Sequence, residues 1–353
     1  MIDRRLANQH LIGRPLATPR AVVERLGAVQ AQDYAGAKWA IGQRAAGVTD
    51  AEVEAALDDG ALLRTHVLRP TWHIVPAADI RWMLELTAPR VRARMAVYDR
   101  RLGLDDAVFA RSNRALEDAL RGGRHVTRTE AAEILKHAGI DAVETQRLGH
   151  IMMRAELDGV VVSGVRRGKQ STYALLDVRA PDAPRLARDE ALCKLATIYF
   201  ATRGPATLQD FSWWSGLMVA DARAGVEAAG TALRSEQIHG REYWSGPPRR
   251  IASPASPLVR LLSNYDEYFI AYKDRTALSA TPVKRQWAPA LNDHVLSIDG
   301  RLVGRWTREF KKSEVVVDVM SSRRLTRGDR DAVVEQGERF GSFMQRSARV
   351  RIT

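Results

Sequence analysis

The chain has 353 residues, and 45% of them are hydrophobic, which excludes disorder as a description of the whole and suggests roughly two or three domains. The net charge of +12 and the pI near 10.2 place a polyanion high among the expected partners, and nucleic acid is the simplest one. The codon usage of a GC-rich genome would produce the same arginine-rich balance, so the charge alone leaves the partner open.

The sequence lacks the signals of membrane insertion, export, nucleotide cofactors and tightly bound zinc. It contains no run of about 18 apolar residues and no apolar signal core near the N-terminus, so we expect a cytoplasmic, nucleoid-associated protein. Glycine-rich nucleotide loops and the HExxH, GxSxG and CxxC motifs are missing, and we predict neither a cofactor nor a metal. Cys193, the single cysteine, lies in an apolar helical run and is predicted to be a buried small hydrophobe.

Residues 1–110 match a winged-helix unit, although more weakly than the two segments that follow. Thr18 and Pro19 open one helix, and a capping box, in which Thr49 and Glu52 exchange hydrogen bonds, opens another. A strand pair is predicted around residues 65–68 and 71–75. These elements together predict the first of three related units.

Residues 111–180 give the clearest pattern, and it is that of a winged helix. The predicted elements are helix 113–120, a helix opened by the capping box of Thr127 and Glu130 and stopped by Gly139, helix 144–157, and strands 160–163 and 171–176. The loop between the two strands carries Arg166, Arg167 and Lys169. Three helices followed by a hairpin with a basic tip is the order of elements in a winged helix.

The same order recurs over residues 181–250. The predicted elements are helix 189–203, a helix capped at Thr207 that runs through residue 213, helix 219–229, and short strands at 231–235 and 238–244. The sequence therefore predicts a third winged-helix unit.

A proline-rich linker at 247–257 separates these units from residues 251–353, where the pattern changes to short alternating runs. Strands at 295–298 and 301–304 flank Asp299-Gly300, which is typical of a type I′ hairpin turn. A third strand at 315–319 and a helix at about 327–344 complete a small β-rich domain. The sequence as a whole thus predicts a mixed α/β (α+β) fold.

Two glutamines stand two residues apart in the segment Val29-Gln30-Ala31-Gln32, just beyond a glycine that should end a helix. In a helix their side chains would point about 200° apart, because residues i and i+2 do not face each other. In an extended strand they share one face, while Val29 and Ala31 take the other. The extended alternative makes the pair a candidate site, and the competing interpretation is that both amides cap or brace the backbone.

Four runs of the chain resemble the bacterial winged-helix DNA glycosylase family typified by AlkZ. They are GAVQAQDYAGAKWA at 27–40, LRTHVLRPTWH at 63–73, LGHIMMRAELDG at 148–159 and NYDEY at 264–268. The resemblance implies tandem winged helices followed by a β-barrel-like domain, and it places the family's Gln-hydrophobic-Gln catalytic element on Gln30 and Gln32. A related branch has Asp at the second position. Keeping Gln there implies the branch that acts on bulky adducts and interstrand crosslinks.

The implied chemistry agrees with a pair of amides. An N7-alkylated purine carries a positive charge and leaves without a strong general acid, so the site must stabilise an oxocarbenium-like sugar and position a water molecule. A lyase-type glycosylase would need a lysine that forms a Schiff base. Lys38 lies close to the motif in sequence, but we predict a phosphate contact or a solvated side chain for it.

The remaining polar residues near the motif leave two interpretations each. His66 and Arg69 either line the DNA cleft or brace the strand pair, and His73 is predicted to be a hydrogen-bonded structural residue. The loop cations Arg166, Arg167 and Lys169 either contact phosphates or the minor groove, or form a solvated basic turn. Two further pairs complete the candidates: Trp213-Trp214 is predicted to be core on one side, and Asp266-Glu267 should point to opposite faces of a strand.

Together these observations predict a monomeric, monofunctional DNA glycosylase that hydrolyses the N-glycosidic bond of N7-alkylated purines in double-stranded DNA. Bulky natural-product adducts or interstrand crosslinks would be its lesions, in DNA repair or antibiotic self-resistance. The alternatives are a winged-helix transcriptional regulator and a protein that binds adducted DNA without cutting it. Only turnover on a defined lesion separates these three functions.

Overall fold

The N-terminal part of the chain combines four short helices with a three-stranded sheet. In this computed structural model, the described residues are 1–142, 144–248, 256–279 and 292–353. The first elements are α1 (Ile2–Asn8), α2 (Pro19–Leu26), β1 (Val29–Gln30), α3 (Tyr34–Gly42), α4 (Asp50–Asp58), β2 (Leu62–His66) and β3 (Trp72–Pro76). The predicted Thr18 cap and the capping box of Thr49 and Glu52 are both confirmed. The strand order is β1-β3-β2, and all pairs are antiparallel.

A 22-residue helix, α5 (Ile80–Arg101), follows the sheet, and the sequence analysis predicted no element there. Pro89 lies inside α5 and is typical of a helix break, which hides the helix in the sequence. The N-terminal half of α5 is buried through Trp82, Met83 and Leu86, whereas Val97 and Tyr98 near its C-terminal end are exposed. The C-terminal half of the helix therefore has an exposed face as well as a buried one.

The middle of the chain has the predicted order of three helices and a hairpin. Its elements are α6 (Asp106–Leu120), β4 (Val126–Thr127), α7 (Arg128–His137), α8 (Thr145–Leu157), β5 (Val161–Ser163), β6 (Thr172–Leu175) and α9 (Leu176–Arg179). Thr127 and Glu130 form the predicted capping box. Leu116, Leu135 and Ile151 belong to a buried cluster made only of residues from this segment, which indicates a core of its own.

The third segment repeats the helical order but shares its core with the N-terminal sheet. Its elements are α10 (Arg188–Arg203), α11 (Leu208–Ser215), α12 (Val219–Ala229), β7 (Arg234–Ile238) and β8 (Arg241–Ser245). Phe211 and Trp214 pack in one cluster with Leu63 and Val75 of the sheet. Trp214 is fully buried and Trp213 is 40% exposed, as predicted for a helix with one core face. Cys193 is only half-buried, which corrects the prediction of a buried cysteine.

The C-terminal segment is a five-stranded curled sheet covered by one long helix. Its elements are β9 (Val259–Leu262), α13 (Glu267–Ile270), β10 (His294–Ile298), β11 (Arg301–Phe310), β12 (Glu314–Ser321), α14 (Arg327–Phe343) and β13 (Ser347–Ile352). The strand order is β13-β12-β11-β10-β9, and only the β12–β13 pair is parallel. Asp299 and Gly300 have φ values of 50° and 73°, as a type I′ turn requires. The predicted linker lies partly outside the described residues, at 249–255.

The predicted mixed α/β fold is confirmed, and the C-terminal domain that was predicted to be β-barrel-like contains a curled sheet. The division into four units at residues 110, 180 and 250 stays a prediction, and so does the winged-helix assignment of each unit. Within the described ranges, no helix is both long and apolar enough to cross a membrane.

Candidate active site

Gln30 ends strand β1, and its position is fixed by two groups from distant parts of the chain. Its backbone N–H donates to Glu267 Oε1 at 3.0 Å, and its side-chain Oε1 accepts from Arg69 Nη2 at 2.8 Å. The side chain is 5% exposed. Because an arginine only donates hydrogen bonds, Arg69 holds the amide oxygen of Gln30 toward itself.

Gln32 lies two residues further along, where β1 has already ended, and its side chain is exposed. Ala31, the residue between the two glutamines, has both of its backbone polar groups in hydrogen bonds. The N–H of Ala31 donates to the Trp72 carbonyl at 2.7 Å, and its carbonyl accepts from Arg64 Nε and Nη2 at 3.1 and 3.0 Å. Val29 and Gln30 are extended in β1, whereas Gln32 lies at a bend, so the segment buries Gln30 and presents Gln32 to solvent.

Glu267 joins the motif to a buried ion pair. Its Oε2 accepts from Arg203 Nη2 at 2.6 Å and from Trp214 Nε1 at 2.9 Å, and both members of the pair are fully buried. Asp266 next to it pairs with Arg44 in the same way. Asp266 caps α13 and Glu267 is its first residue. The prediction that the two residues lie on a strand is therefore wrong. Both carboxylates are occupied by ion pairs, so neither is a free acid or base.

The residue after Gln32 belongs to a second polar network that reaches the C-terminal sheet. Asp33 caps α3 by accepting from the Gly36 N–H at 2.8 Å, and it also accepts from Asn264 Nδ2 at 3.0 Å. The Asn264 N–H in turn donates to His294 Nδ1 at 2.9 Å. Burial and the nearby charge of Arg308 lower the pKa of His294 to about 4, so its imidazole is neutral at neutral pH.

The electrostatics around Gln30 disfavour additional positive charge on the basic groups there. Burial lowers the pKa of Arg69 to about 10. Glu267 opposes this shift, while the positive charges of Arg203, Arg275 and Arg94 add to it. His73, which pairs with Gln30 across the sheet, has a pKa well below its ordinary value because it is buried and faces Arg69. Its Nδ1 lies 2.9 Å from the Thr71 carbonyl, as expected for a structural histidine, and its Nε2 has no hydrogen-bond partner among the described residues.

Lys38 was predicted to contact a phosphate or to be solvated, and the structure contradicts both alternatives. It is 5% exposed, and its Nζ lies 2.8 Å from Asp50 Oδ2 and 2.7 Å from Glu54 Oε2. The two acids stand four residues apart on α4 and so share one face of that helix. Lys38 is thus a buried partner of two carboxylates and is not available to a phosphate.

His66 braces the sheet in this structure. Its Nδ1 contacts Glu156 of α8, and its ring lies against Trp72 with centroids 4.4 Å apart. Arg69 donates a hydrogen bond to Gln30. Within the described residues, no other predicted DNA contact forms a hydrogen bond with either glutamine of the motif.

The three cations of the loop between β5 and β6 have different surroundings. Arg166 turns inward, 4.7 Å from the Tyr34 ring and 3.4 Å from Glu54. Arg167 is half exposed and pairs with Glu130 at 2.6 Å. Lys169 is exposed, and its side chain has no ion-pair partner in the part of the chain that the structure describes. Lys169 is therefore the loop cation most available to a phosphate.

A family model named "DNA glycosylase AlkZ-like" matches residues 23–343. The chain belongs to this family. The match confirms the resemblance read from the sequence and makes the protein an AlkZ-like DNA glycosylase, which acts on DNA. An "Interstrand DNA cross-link repair glycosylase" from Streptomyces sahachiroi is 25% identical over 331 residues, covering 89% of this chain and 88% of the relative.

The solved structure of the Streptomyces sahachiroi DNA glycosylase AlkZ superposes on this AlkZ-like chain with a TM-score of 0.83. The superposition covers 100% of this chain and 98% of the other, at 22% identity, and supports the shared fold. Sequence reasoning about this AlkZ-like protein missed Arg64, Arg203 and Glu267 as supports of the motif. Glu267 and Arg64 do lie in runs that resemble the family, whereas nothing in the sequence marked Arg203.

Proposed function

We propose that the protein is a monofunctional glycosylase that hydrolyses the N-glycosidic bond of N7-alkylated purines in duplex DNA, with Gln30 and Gln32 as its catalytic pair. The name of the Streptomyces sahachiroi relative extends the proposed substrates to interstrand crosslinks. The observation that carries the proposal is the fixed position of Gln30, two residues before the exposed Gln32: its side-chain oxygen accepts from Arg69, and its backbone N–H donates to Glu267.

The reaction breaks the bond between C1′ and N9, and the electron pair of that bond neutralises the cationic purine as it leaves. The remaining sugar is an oxocarbenium-like cation, and a water molecule attacks its C1′ and releases a proton to the surrounding solvent. Fixed amide dipoles stabilise such a cation without reorganising during the reaction. Gln32, the exposed member, is the one that positions the water in this proposal, and Gln30 orients the lesion from its buried place.

The groups around the motif support hydrolysis by water without a covalent intermediate. Lys38 is held by two carboxylates, so it does not offer a free amine for a Schiff base. Glu267 is paired with Arg203, and His73 is buried and neutral. A purine that is already positively charged leaves without an acid, so none of these groups is needed for that role. An unmodified purine is neutral and would need an acid, so unmodified DNA is a poor substrate.

The test is single-turnover excision from duplexes that carry N7-methylguanine, a bulky N7 adduct or an N7–N7 crosslink, read by alkaline cleavage of abasic sites. We expect base release from at least one lesion, an intact strand before alkali, no borohydride-trapped adduct and no reaction with unmodified DNA. A covalent adduct would overturn the monofunctional mechanism. Binding of every lesion without release of any base would favour a non-catalytic binder of adducted DNA.

Gel filtration of the same protein tests the proposed monomer.

A further inference from the structure

The C-terminal half of α5 carries three arginines and two exposed apolar residues on one face. Residues 90, 94, 97, 98 and 101 follow the i, i+4, i+7, i+8, i+11 spacing of one helix face, so they lie within roughly a 100° arc of the helix. Val97 is 46% and Tyr98 53% exposed, and Arg94 and Arg101 are exposed as well. We name this face the α5 stripe: Arg90, Arg94, Val97, Tyr98 and Arg101.

The arginines of the α5 stripe are not paired with carboxylates in the described parts of the chain. They are Arg90, Arg94 and Arg101, and Arg101 lies 5.8 Å from the Tyr98 ring. On the opposite side of α5, Arg92 pairs with Asp158 at 2.7 Å. Unpaired cations beside exposed apolar side chains on one face are typical of a binding surface and not of an ordinary solvated helix.

The α5 stripe begins at the glutamine motif. Thr87 lies one turn before Arg90 on the same face, and its Oγ1 accepts from the Leu68 N–H at 3.1 Å. The next residue, Arg69, holds Gln30. The positive charge of Arg94 also acts on Arg69, which agrees with this proximity. From Thr87 to Arg101 the helix rises about 21 Å at 1.5 Å per residue, so the stripe ends about that far along α5 from the contact between Thr87 and Leu68.

We infer that the α5 stripe binds the sugar-phosphate backbone of the duplex on one side of the lesion. Arg90, Arg94 and Arg101 contact phosphates, and Val97 with Tyr98 packs against the sugars between them. A length of about 21 Å corresponds to about six base pairs at 3.4 Å each. The inference rests on the proposed function only in placing the lesion at Gln30, since the DNA substrate itself follows from the family.

The test compares Arg94→Gln/Arg101→Gln with Arg327→Gln/Arg330→Gln, which removes two charges from exposed positions of α14. Affinity for an N7-methylguanine duplex is measured by fluorescence anisotropy over a series of salt concentrations. We expect the α5 double variant to bind roughly tenfold more weakly and to flatten the log–log salt slope by about 1.8, because each lost phosphate contact contributes about 0.9. The control should keep nearly the wild-type slope.

Duplex length gives the second arm. When one flank of the lesion is trimmed to about two base pairs, wild type and the α5 variant should bind alike in one orientation and differ in the other. Wild-type affinity and salt slope in the α5 variant would overturn the inference, and so would an equal loss in the α14 control. Single-turnover excision at saturating DNA should stay at the wild-type rate. If wild type binds but excises no lesion, the proposed function fails while the binding comparison still tests the stripe.

Discussion

Arg69 Nη2 donates a 2.8 Å hydrogen bond to the amide oxygen of Gln30, so the turn between β2 and β3 sets the orientation of the buried candidate catalytic amide. Without this contact the amide could turn over, because its oxygen and nitrogen have nearly the same shape. The arrangement divides the motif into an amide fixed by the protein and an exposed amide, Gln32, which positions the water in the proposed mechanism.

The two glutamines should therefore fail in the same step when they are truncated. Gln30→Ala and Gln32→Ala are each expected to lower single-turnover base release by about 10²–10³, the usual cost of one preorganised hydrogen bond in a transition state. DNA affinity should change little, because contacts that strengthen only in the transition state add little to binding. Paired binding and excision assays on one N7-alkylguanine duplex check this. Excision at the wild-type rate in both variants would restore the interpretation that the amides only brace the backbone.

Arg69 is expected to act as a positioning residue. Arg69→Met removes the donor to Gln30 and should slow single-turnover excision by about tenfold or more, which is less than the loss of a direct transition-state contact because Arg69 acts through Gln30. Arg69→Lys keeps a donor and should recover part of the rate, which a purely structural role would not predict. Circular dichroism on the same samples serves as the folding control. Equal rates for wild type, Met and Lys would show that the contact does not orient the amide during catalysis.

The Glu267–Arg203 pair should dominate the stability of the site. Glu267→Gln leaves the Arg203 guanidinium buried without its counter-charge, at an expected cost of about 3–5 kcal/mol in the free energy of unfolding. The double variant Glu267→Gln/Arg203→Met removes both charges and should lose less than the sum of the losses in Glu267→Gln and Arg203→Met alone. Urea unfolding of the four proteins measures this coupling. Additive losses would mean that the two buried charges do not compensate each other.

The sequence predicted what local chemistry decides and missed what packing decides. Capping boxes at Thr49 and Thr127 need only neighbouring residues, and both formed where expected. The contacts that fix Gln30 come from residues 39 and 237 positions away, and no local pattern reports such distances. Lys38 shows the same limit, since its two acidic partners are visible in the sequence but their shared face on α4 is meaningful only after α3 packs against it.

Lys38 and Lys169 should respond differently to the loss of their charge. Lys169→Gln is expected to reduce the salt slope of DNA binding by about 0.9 without affecting stability, because the side chain is exposed and available to one phosphate. Lys38→Gln leaves Asp50 and Glu54 without their shared cation and should lower the unfolding free energy while the salt slope stays unchanged. Anisotropy titrations and urea unfolding separate the two. A reduced salt slope in Lys38→Gln would contradict its placement as a buried ion-pair partner.

Acid should destabilise the protein through His294. The pKa of its imidazole is about 4 in the folded chain, because burial and Arg308 oppose protonation, against about 6.5 in an unfolded chain. Between these two values the unfolded chain binds a proton that the folded chain does not, so the unfolding free energy falls as the pH drops from about 6.5 to 4.

Asp33, which also faces His294, has a lowered pKa and loses its contribution only at lower pH, outside this window. His294→Gln removes the titrating ring while an amide can still accept from the Asn264 N–H. We measure the unfolding free energy by urea unfolding between pH 4.5 and 6.5. Its slope against pH should be shallower in this variant than in wild type, and the difference should correspond to about one proton. His73, also buried and neutral, should keep part of the slope in both proteins. Identical slopes would mean that His294 titrates normally and is not desolvated by its network.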